Sequence, residues 1–465
     1  MGVSIFGLVD HQVLQRDTAV SGRIAVAGSS EGAVRLRVVD PSGKPATDWE
    51  EAGTGGPWKA ELVVPVGGPY DLMAEEEGAQ PVALARSILV GDLWVLAGQS
   101  NMQGVGILGP EVELPYARTA VLDITRRWRP AIDPLHRLYA SPDPVHNMNE
   151  DAELRAQLAE ADARSPLGAG LGVPFANAMV AKTGVPVGLI ATAHGGTSLA
   201  QWSPELKHEG GRSLFGSMLL GVDAAGGSVA GVLWYQGESD ALELAAETFS
   251  ERLRALVEAV RDELRHPDLP FFHVQLGRVT HLPGLNREGE GHWASIREAQ
   301  RLVDLGPGGL VTAVDLPLSD PIHISTRGLQ RLGRRLAAVA SGSAATVTVE
   351  NTETTVPRRA APDAPEAFEI RVRLAGITPP LTPAEHMAGF TLRSAAGEER
   401  PWIYSSVVDP TDPQAVIISG LGNLEEGDTI SYGYGFDPYC NLVDANDMAM
   451  PAFGPLVLAP IRLDA

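Results

Sequence analysis

Leu93-Trp94-Val95-Leu96-Ala97-Gly98-Gln99-Ser100-Asn101-Met102, residues 93–102, is an apolar run that stops on a glycine and a serine. Consecutive apolar residues ending at a turn signal read as a strand buried on both faces, which is what a parallel sheet needs. Gly98 lets the backbone turn sharply as the strand ends, and Ser100 then stands on that turn with its hydroxyl presented. Taken alone, such a serine is more often a helix N-cap.

Further strands of the same texture are expected at Val187–Ala191, Val229–Tyr235, Phe271–Leu276 and Leu310–Leu316. Amphipathic helices alternate with them. One carries Phe249, Leu253, Leu256, Val257, Val260 and Leu264 on a single face; others run near Trp293–Leu305 and Thr326–Ala340. Strand–helix alternation predicts an α/β unit over about 91–342, with a mainly parallel sheet covered on both faces. Within it, about 103–172 is rich in Pro and Asp, weakly periodic, and reads as a loop-rich insertion.

The flanks differ. Residues 1–90 read as a β-sandwich-like domain: Val34-Arg35-Leu36-Arg37-Val38 alternates, and Gly53–Pro57 and Gly67–Pro69 look like turn clusters. Residues 345–465 return to β texture, with clean alternation over Phe368–Leu374, short strands at Gly389–Leu392 and Ala415–Ser419, and a Pro-rich loop at Val356–Pro365.

Bulk properties narrow the function. The chain has 465 residues, 44% of them hydrophobic and 20% charged, ample for a large core in two to four domains. A net charge of −22 without a basic stripe argues against nucleic-acid and membrane partners. Cys440 is the single cysteine, so no intramolecular disulfide forms, and it reads as a small core residue. Asp10, His11, Arg16 and Asp17 interrupt the N-terminus, and Arg86 and Asp92 break the apolar stretch Val82–Ala97, so a cytoplasmic location is expected unless an export signal has been trimmed. No H-x-x-x-H pair occurs, and neither metal nor cofactor is expected. The oligomeric state is left open.

Four segments fall at or just beyond the expected C-terminal strand ends, where open α/β sheets bind ligands. The first holds Ser100. The second, His194-Gly195-Gly196-Thr197-Ser198, has a glycine pair that lets a carbonyl approach a backbone N–H, although taken alone a plain turn is the better reading. The third, Trp234-Tyr235-Gln236-Gly237-Glu238-Ser239-Asp240, offers the Gln236 side-chain amide as a donor, with helix capping by Ser239 or Asp240 as the plainer reading. In the fourth, Asp320-Pro321-Ile322-His323, one turn can set the carboxylate against the imidazole Nδ1. Each is weak alone; the set is not.

Together the segments resemble the SGNH (GDSL-like) hydrolases, and within them the sialate O-acetylesterase-like and related carbohydrate acetylesterases. GQSNM at 98–102, GGTSLAQW at 195–202, WYQGES at 234–239 and DPIH at 320–323 carry the likeness. VLQR at 13–16, GGPY at 67–70, GDLW at 91–94, GFTL at 389–392 and NLVDANDMAMPAF at 441–453 extend it over nearly the whole chain.

The resemblance implies a flavodoxin-like three-layer catalytic domain with Ser100 as nucleophile, His323 as base and Asp320 as its orienting acid. It implies an oxyanion hole from the Ser100 and Gly196 N–H groups and the Gln236 side chain, with Gly195 a substitute for Gly196 and Gln99, Asn101 and Glu238 in support. Asp315 and Glu238 are alternative partners for His323. Two departures stand out: Ile324 where relatives often have proline, and His194 ahead of the glycine pair. The implied substrate is an acetylated sugar, small or oligomeric, whose acetyl group passes through an acetyl-serine. Trp202, Trp128 and Tyr139 can stack on sugar faces or pack in the core. The alternatives are an acetylxylan or other plant-polysaccharide esterase, and a carbohydrate-binding protein without catalysis.

Overall fold

The computed structural model describes residues 3–147, 151–242, 248–280, 287–355 and 366–458. Its organising element is the strand Val82–Gly98, which runs straight through the expected boundary at 90/91. Its first half pairs antiparallel with Gly67–Glu76, and its second half lies between Val187–Ala191 and Gly231–Tyr235, parallel to both. From Ile88 to Gly98 every residue is buried. That explains the unbroken apolar run, since neither face meets water.

The parallel sheet continues through Phe271–Gln275 to Gly308–Thr312 on one side and to Thr119–Leu122 on the other. The antiparallel strand Trp128–Pro130 closes that second edge. Val82–Gly98 lies between strands that follow it in the chain, so the winding reverses there, the place where sheets of this kind open a crevice at their carboxyl ends. Ser100 sits at that point.

The helix Phe249–Glu263 buries Phe249, Leu253, Leu256, Val257 and Val260, the expected face. Thr326–Ala340 has the expected bounds; Ser325 caps its start by accepting from the Gly328 N–H. The last parallel strand stops at Thr312, short of Leu316. Thr312 Oγ1 accepts from the Val314 N–H at 3.3 Å and turns the chain. Thr119–Leu122 corrects the reading of 103–172 as inserted loops, because it is a buried strand of the main sheet. Four residues are too few to show a period. The same stretch also holds the helix Ala152–Ala163.

In the N-terminal part, Ser21–Val39, Glu50–Pro65 and Gly67–Glu76 form an antiparallel sheet whose inward residues build their own core around Ile24, Leu36, Leu62 and Leu72. Gly53–Pro57, read as a turn cluster, lies inside the strand Glu50–Pro65. The glycines make room for Trp58: a Cβ on Gly28 would come within 2.3 Å of its ring, and one on Gly53 within 2.7 Å of its Cβ. Gly67–Pro69 likewise opens a strand instead of a turn.

The C-terminal residues form a four-stranded antiparallel sheet, which includes Ala367–Ala375 and Asp412–Leu421, and a three-stranded one. Their apolar residues, Cys440 among them, share one core cluster with the parallel sheet. Buried Arg297 donates to the carbonyls of Gly433 (2.8 Å) and Gly435 (2.6 Å), and Gln275 and Ala452 exchange two bonds of 2.8 Å. The expected loop Val356–Pro365 lies outside the described residues.

Candidate active site

Gly98 adopts φ +129°, and a Cβ there would stand 2.1 Å from the Tyr235 carbonyl oxygen, so only glycine lets the two parallel strands end side by side. The Gly98 carbonyl accepts from the His194 N–H at 3.0 Å, which ties the neighbouring strand end to the same point. Ser100 then opens the short helix Ser100–Gln103.

Three residues from two distant segments form a continuous chain. Ser100 Oγ lies 3.1 Å from His323 Nε2, and His323 Nδ1 lies 2.6 Å from Asp320 Oδ2. Asp320 Oδ1 accepts from the Ile322 and His323 N–H groups at 2.9 and 2.8 Å, so the carboxylate is held by its own turn. Burial raises its pKa, but these backbone bonds and the imidazole outweigh burial and keep the carboxyl below its ordinary value.

The alternatives for His323 are occupied elsewhere. Asp315 makes a buried ion pair with Arg335 at 2.7 Å. Glu238 Oε1 accepts from Asn101 Nδ2 at 2.8 Å, and burial pushes its carboxyl up despite that bond. Asn101 Oδ1 accepts from the Ile324 N–H at 3.0 Å. Asn101 therefore clips the residue after His323 to the turn after Ser100, and a proline at 324 would remove that donor. Gln99 Oε1 takes the Gly237 and Ser239 N–H groups at 3.4 and 3.3 Å, in support of the same strand end.

The donors around Ser100 sort differently from the expectation. A Cβ on Gly195 would be 3.3 Å from Ser100 Cβ, so Gly195 lies against the serine. The Gly195 N–H is spent on Gln103 Oε1 at 2.9 Å, which removes it as a substitute. Among the described residues nothing accepts from the Gly196 or Ser100 N–H. Gln236 is a correction. Its side chain is fully buried, and its two N–H groups go to the Thr197 carbonyl (3.0 Å) and Asp240 Oδ2 (2.5 Å), leaving none for an oxyanion. Asp240 also accepts from the Leu199 N–H at 2.9 Å, so Gln236 and Asp240 brace the 194–201 loop.

Of the two readings of Trp202, the structure has the core one: it is fully buried, packs edge-on to Trp234 at 5.2 Å, and donates to Thr197 Oγ1 at 3.0 Å. Trp128 packs against the core, and Tyr139 is exposed. A cavity of about 610 Å³ opens along the 194–201 loop, lined among others by His194, Thr197, Gln201, Arg155 and Arg212. Gln103 and the side-chain network behind His194 escaped the sequence reading, and Asp240 was seen only as a helix cap. Gln103, one helical turn after Ser100, carried a signal in its spacing; the network carried none.

Comparison with known proteins shows the family. The family described as "Carbohydrate esterase, sialic acid-specific acetylesterase" matches residues 90–341. A protein of Arabidopsis thaliana described as a probable carbohydrate esterase is 30% identical over 268 residues, covering 53% of this chain and 88% of its own. A crystal structure of a carbohydrate acetylesterase from Xanthomonas citri, 22% identical, covers 96% of this chain and 97% of its own with a TM-score of 0.61, a likeness of fold.

Proposed function

Because the chain belongs to the carbohydrate esterase family of sialic acid-specific acetylesterases, we propose that it removes O-acetyl groups from a carboxylate-bearing sugar of the sialate type through an acetyl-Ser100 intermediate. It is a carboxylic ester hydrolase. The observation that carries the mechanism is the Ser100–His323–Asp320 chain, with contacts of 3.1 and 2.6 Å.

His323 Nε2 takes the Oγ proton as Ser100 attacks the ester carbonyl, and Asp320 holds the proton on Nδ1 and steadies the imidazolium. The carbonyl oxygen, now negative, meets the Ser100 and Gly196 N–H groups. Collapse breaks the bond to the sugar oxygen, which leaves with the proton from Nε2. Water then gives its proton to Nε2, attacks the acetyl-serine, and releases acetate while Ser100 regains its proton.

The substrate assignment rests on the cavity beside this site. Arg155 and Arg212 line it, and among the described residues neither is paired with a carboxylate. Guanidinium groups match a sugar carboxylate in bidentate geometry. The same reading makes 91–342 an SGNH-type three-layer catalytic unit, with 1–90 and 345–465 as β units that brace it; the Arg297 and Gln275 bonds to the C-terminal residues support the bracing role.

The test measures acetate release from an O-acetylated sialic acid and from acetylated xylo-oligosaccharides, by the wild type and Ser100→Ala. Release from the acidic sugar that is lost in the variant is expected. A Ser100→Ala rate equal to wild type would overturn the mechanism. A preference for the neutral oligosaccharide would overturn the substrate assignment in favour of a plant-polysaccharide esterase.

A further inference from the structure

His194, just ahead of the glycine pair, ends a hydrogen-bonded chain of side chains. Its Nδ1 lies 3.0 Å from Nδ1 of His146, with the rings stacked at 5.2 Å. His146 Nε2 lies 3.0 Å from Ser217 Oγ, which donates to Asp143 Oδ2 at 2.6 Å, and Arg126 Nη2 holds the same carboxylate at 2.5 Å.

Counting protons fixes the direction of every link. A carboxylate facing a guanidinium only accepts, so the single Ser217 hydrogen goes to Asp143. Ser217 must then accept from His146 Nε2–H. Burial lowers His146 to about 3 and also lowers His194, so both rings are neutral and each carries one N–H. With its proton on Nε2, His146 presents a bare Nδ1, and His194 Nδ1–H must be the donor. His194 Nε2 is left bare. His194 lines the cavity of about 610 Å³ and directly precedes the glycine that lies against Ser100.

We propose that His194 is a recognition residue whose Nε2 is locked as an acceptor by the His146–Ser217–Asp143–Arg126 chain and takes a hydrogen bond from a free hydroxyl of the sugar being deacetylated. The proposal rests on the cavity being the sugar site. It adds a selection rule: a sugar with no hydroxyl proton at that position leaves Nε2 unpaired and is turned over poorly. Sites built to bond a hydroxyl reject analogues that lack it more strongly than apolar pockets reject a missing methylene.

Two readouts test it. The first is imidazole nitrogen NMR of the full chain labelled with ¹⁵N-histidine, with the His194 signals assigned by their loss in His194→Gln. Nδ1 protonated and Nε2 bare is expected, with mixed tautomers in Ser217→Ala; a protonated Nε2 in wild type overturns the lock. The second compares His194→Asn with His194→Gln, since an Asn amide reaches the place of Nδ1 and a Gln amide the place of Nε2. In His194→Asn, kcat/KM for O-acetylated sialic acid relative to that for 4-nitrophenyl acetate should fall by about 10- to 100-fold, the range of one lost buried hydrogen bond. His194→Gln should retain most of the ratio. Equal ratios in the two variants, or an unchanged ratio in His194→Asn, overturn the recognition role. A wild type that hydrolyses no sugar ester overturns the functional reading instead, and the NMR result still judges the lock.

Discussion

Replacing Asp320 by asparagine should damage the enzyme more than replacing it by alanine. Asp320 Oδ1 accepts from two backbone N–H groups at 2.9 and 2.8 Å, and Oδ2 faces His323 Nδ1 at 2.6 Å. In Asp320→Asn the amide oxygen stays on the backbone donors and the NH₂ faces Nδ1. The imidazole must then carry its proton on Nε2, toward Ser100, and cannot act as a base. Loss of the carboxylate alone removes an attraction of about 4 kcal/mol for charges about 4 Å apart at an effective dielectric of about 20. The Asp320 side chain is 44% exposed, and solvent screening trims that attraction to about 2 kcal/mol. Forcing the imidazole back to the working tautomer forfeits a further hydrogen bond of about 2 kcal/mol. At about 1.4 kcal/mol per decade, Asp320→Ala should lose about 30-fold in kcat and Asp320→Asn about 10³-fold. Initial rates on 4-nitrophenyl acetate, with melting temperatures to exclude misfolding, measure both. An Asp320→Asn protein as active as Asp320→Ala, or either within about threefold of wild type, would refute the tautomer argument.

Gln236→Ala separates a brace from an oxyanion donor. The brace predicts a lower melting temperature, with about 1–3 kcal/mol lost where Asp240 and the Thr197 carbonyl lose their donor, whereas a pure oxyanion donor predicts about 10²–10³ in kcat at unchanged stability. Gly98→Ala forces a Cβ to 2.1 Å from the Tyr235 oxygen at a positive φ and should cost about 3–5 kcal/mol, visible in thermal melts; a wild-type melt would contradict the close approach. Asp133, enclosed and accepting from the Gly170 N–H at 3.1 Å, has its carboxyl raised to about 7 by burial. A raised folded pKa favours the fold below the unfolded value near 3.8 and loses that contribution as pH rises through about 7. Asp133→Asn should therefore stabilise the protein by about 3 kcal/mol more at pH 8 than at pH 5. Calorimetry showing the same difference at both pH values would rule this out.

Much of this protein was legible along the chain. Buried parallel strands carry continuous apolar runs, and Val187–Ala191 was read to the residue. The face of Phe249–Glu263 and the bounds of Thr326–Ala340 follow from a 3.6-residue period. Asp320 and His323 meet because two intervening residues make one turn, a local event that the chain itself dictates. Tertiary packing decided the rest. Thr119–Leu122 is too short to declare a period, and Gly53–Pro57 looks like a turn until Trp58 is seen filling the space above it. Gln236 has a donor's chemistry, but Asp240 and the Thr197 carbonyl claim both of its N–H groups. The chain from Arg126 to His194 spans elements far apart in sequence, and no spacing announces it. Residue type and local spacing determine which side chains can do chemistry; which of them are free to do it depends on how donors and acceptors are shared out in space, and only the folded structure makes that division.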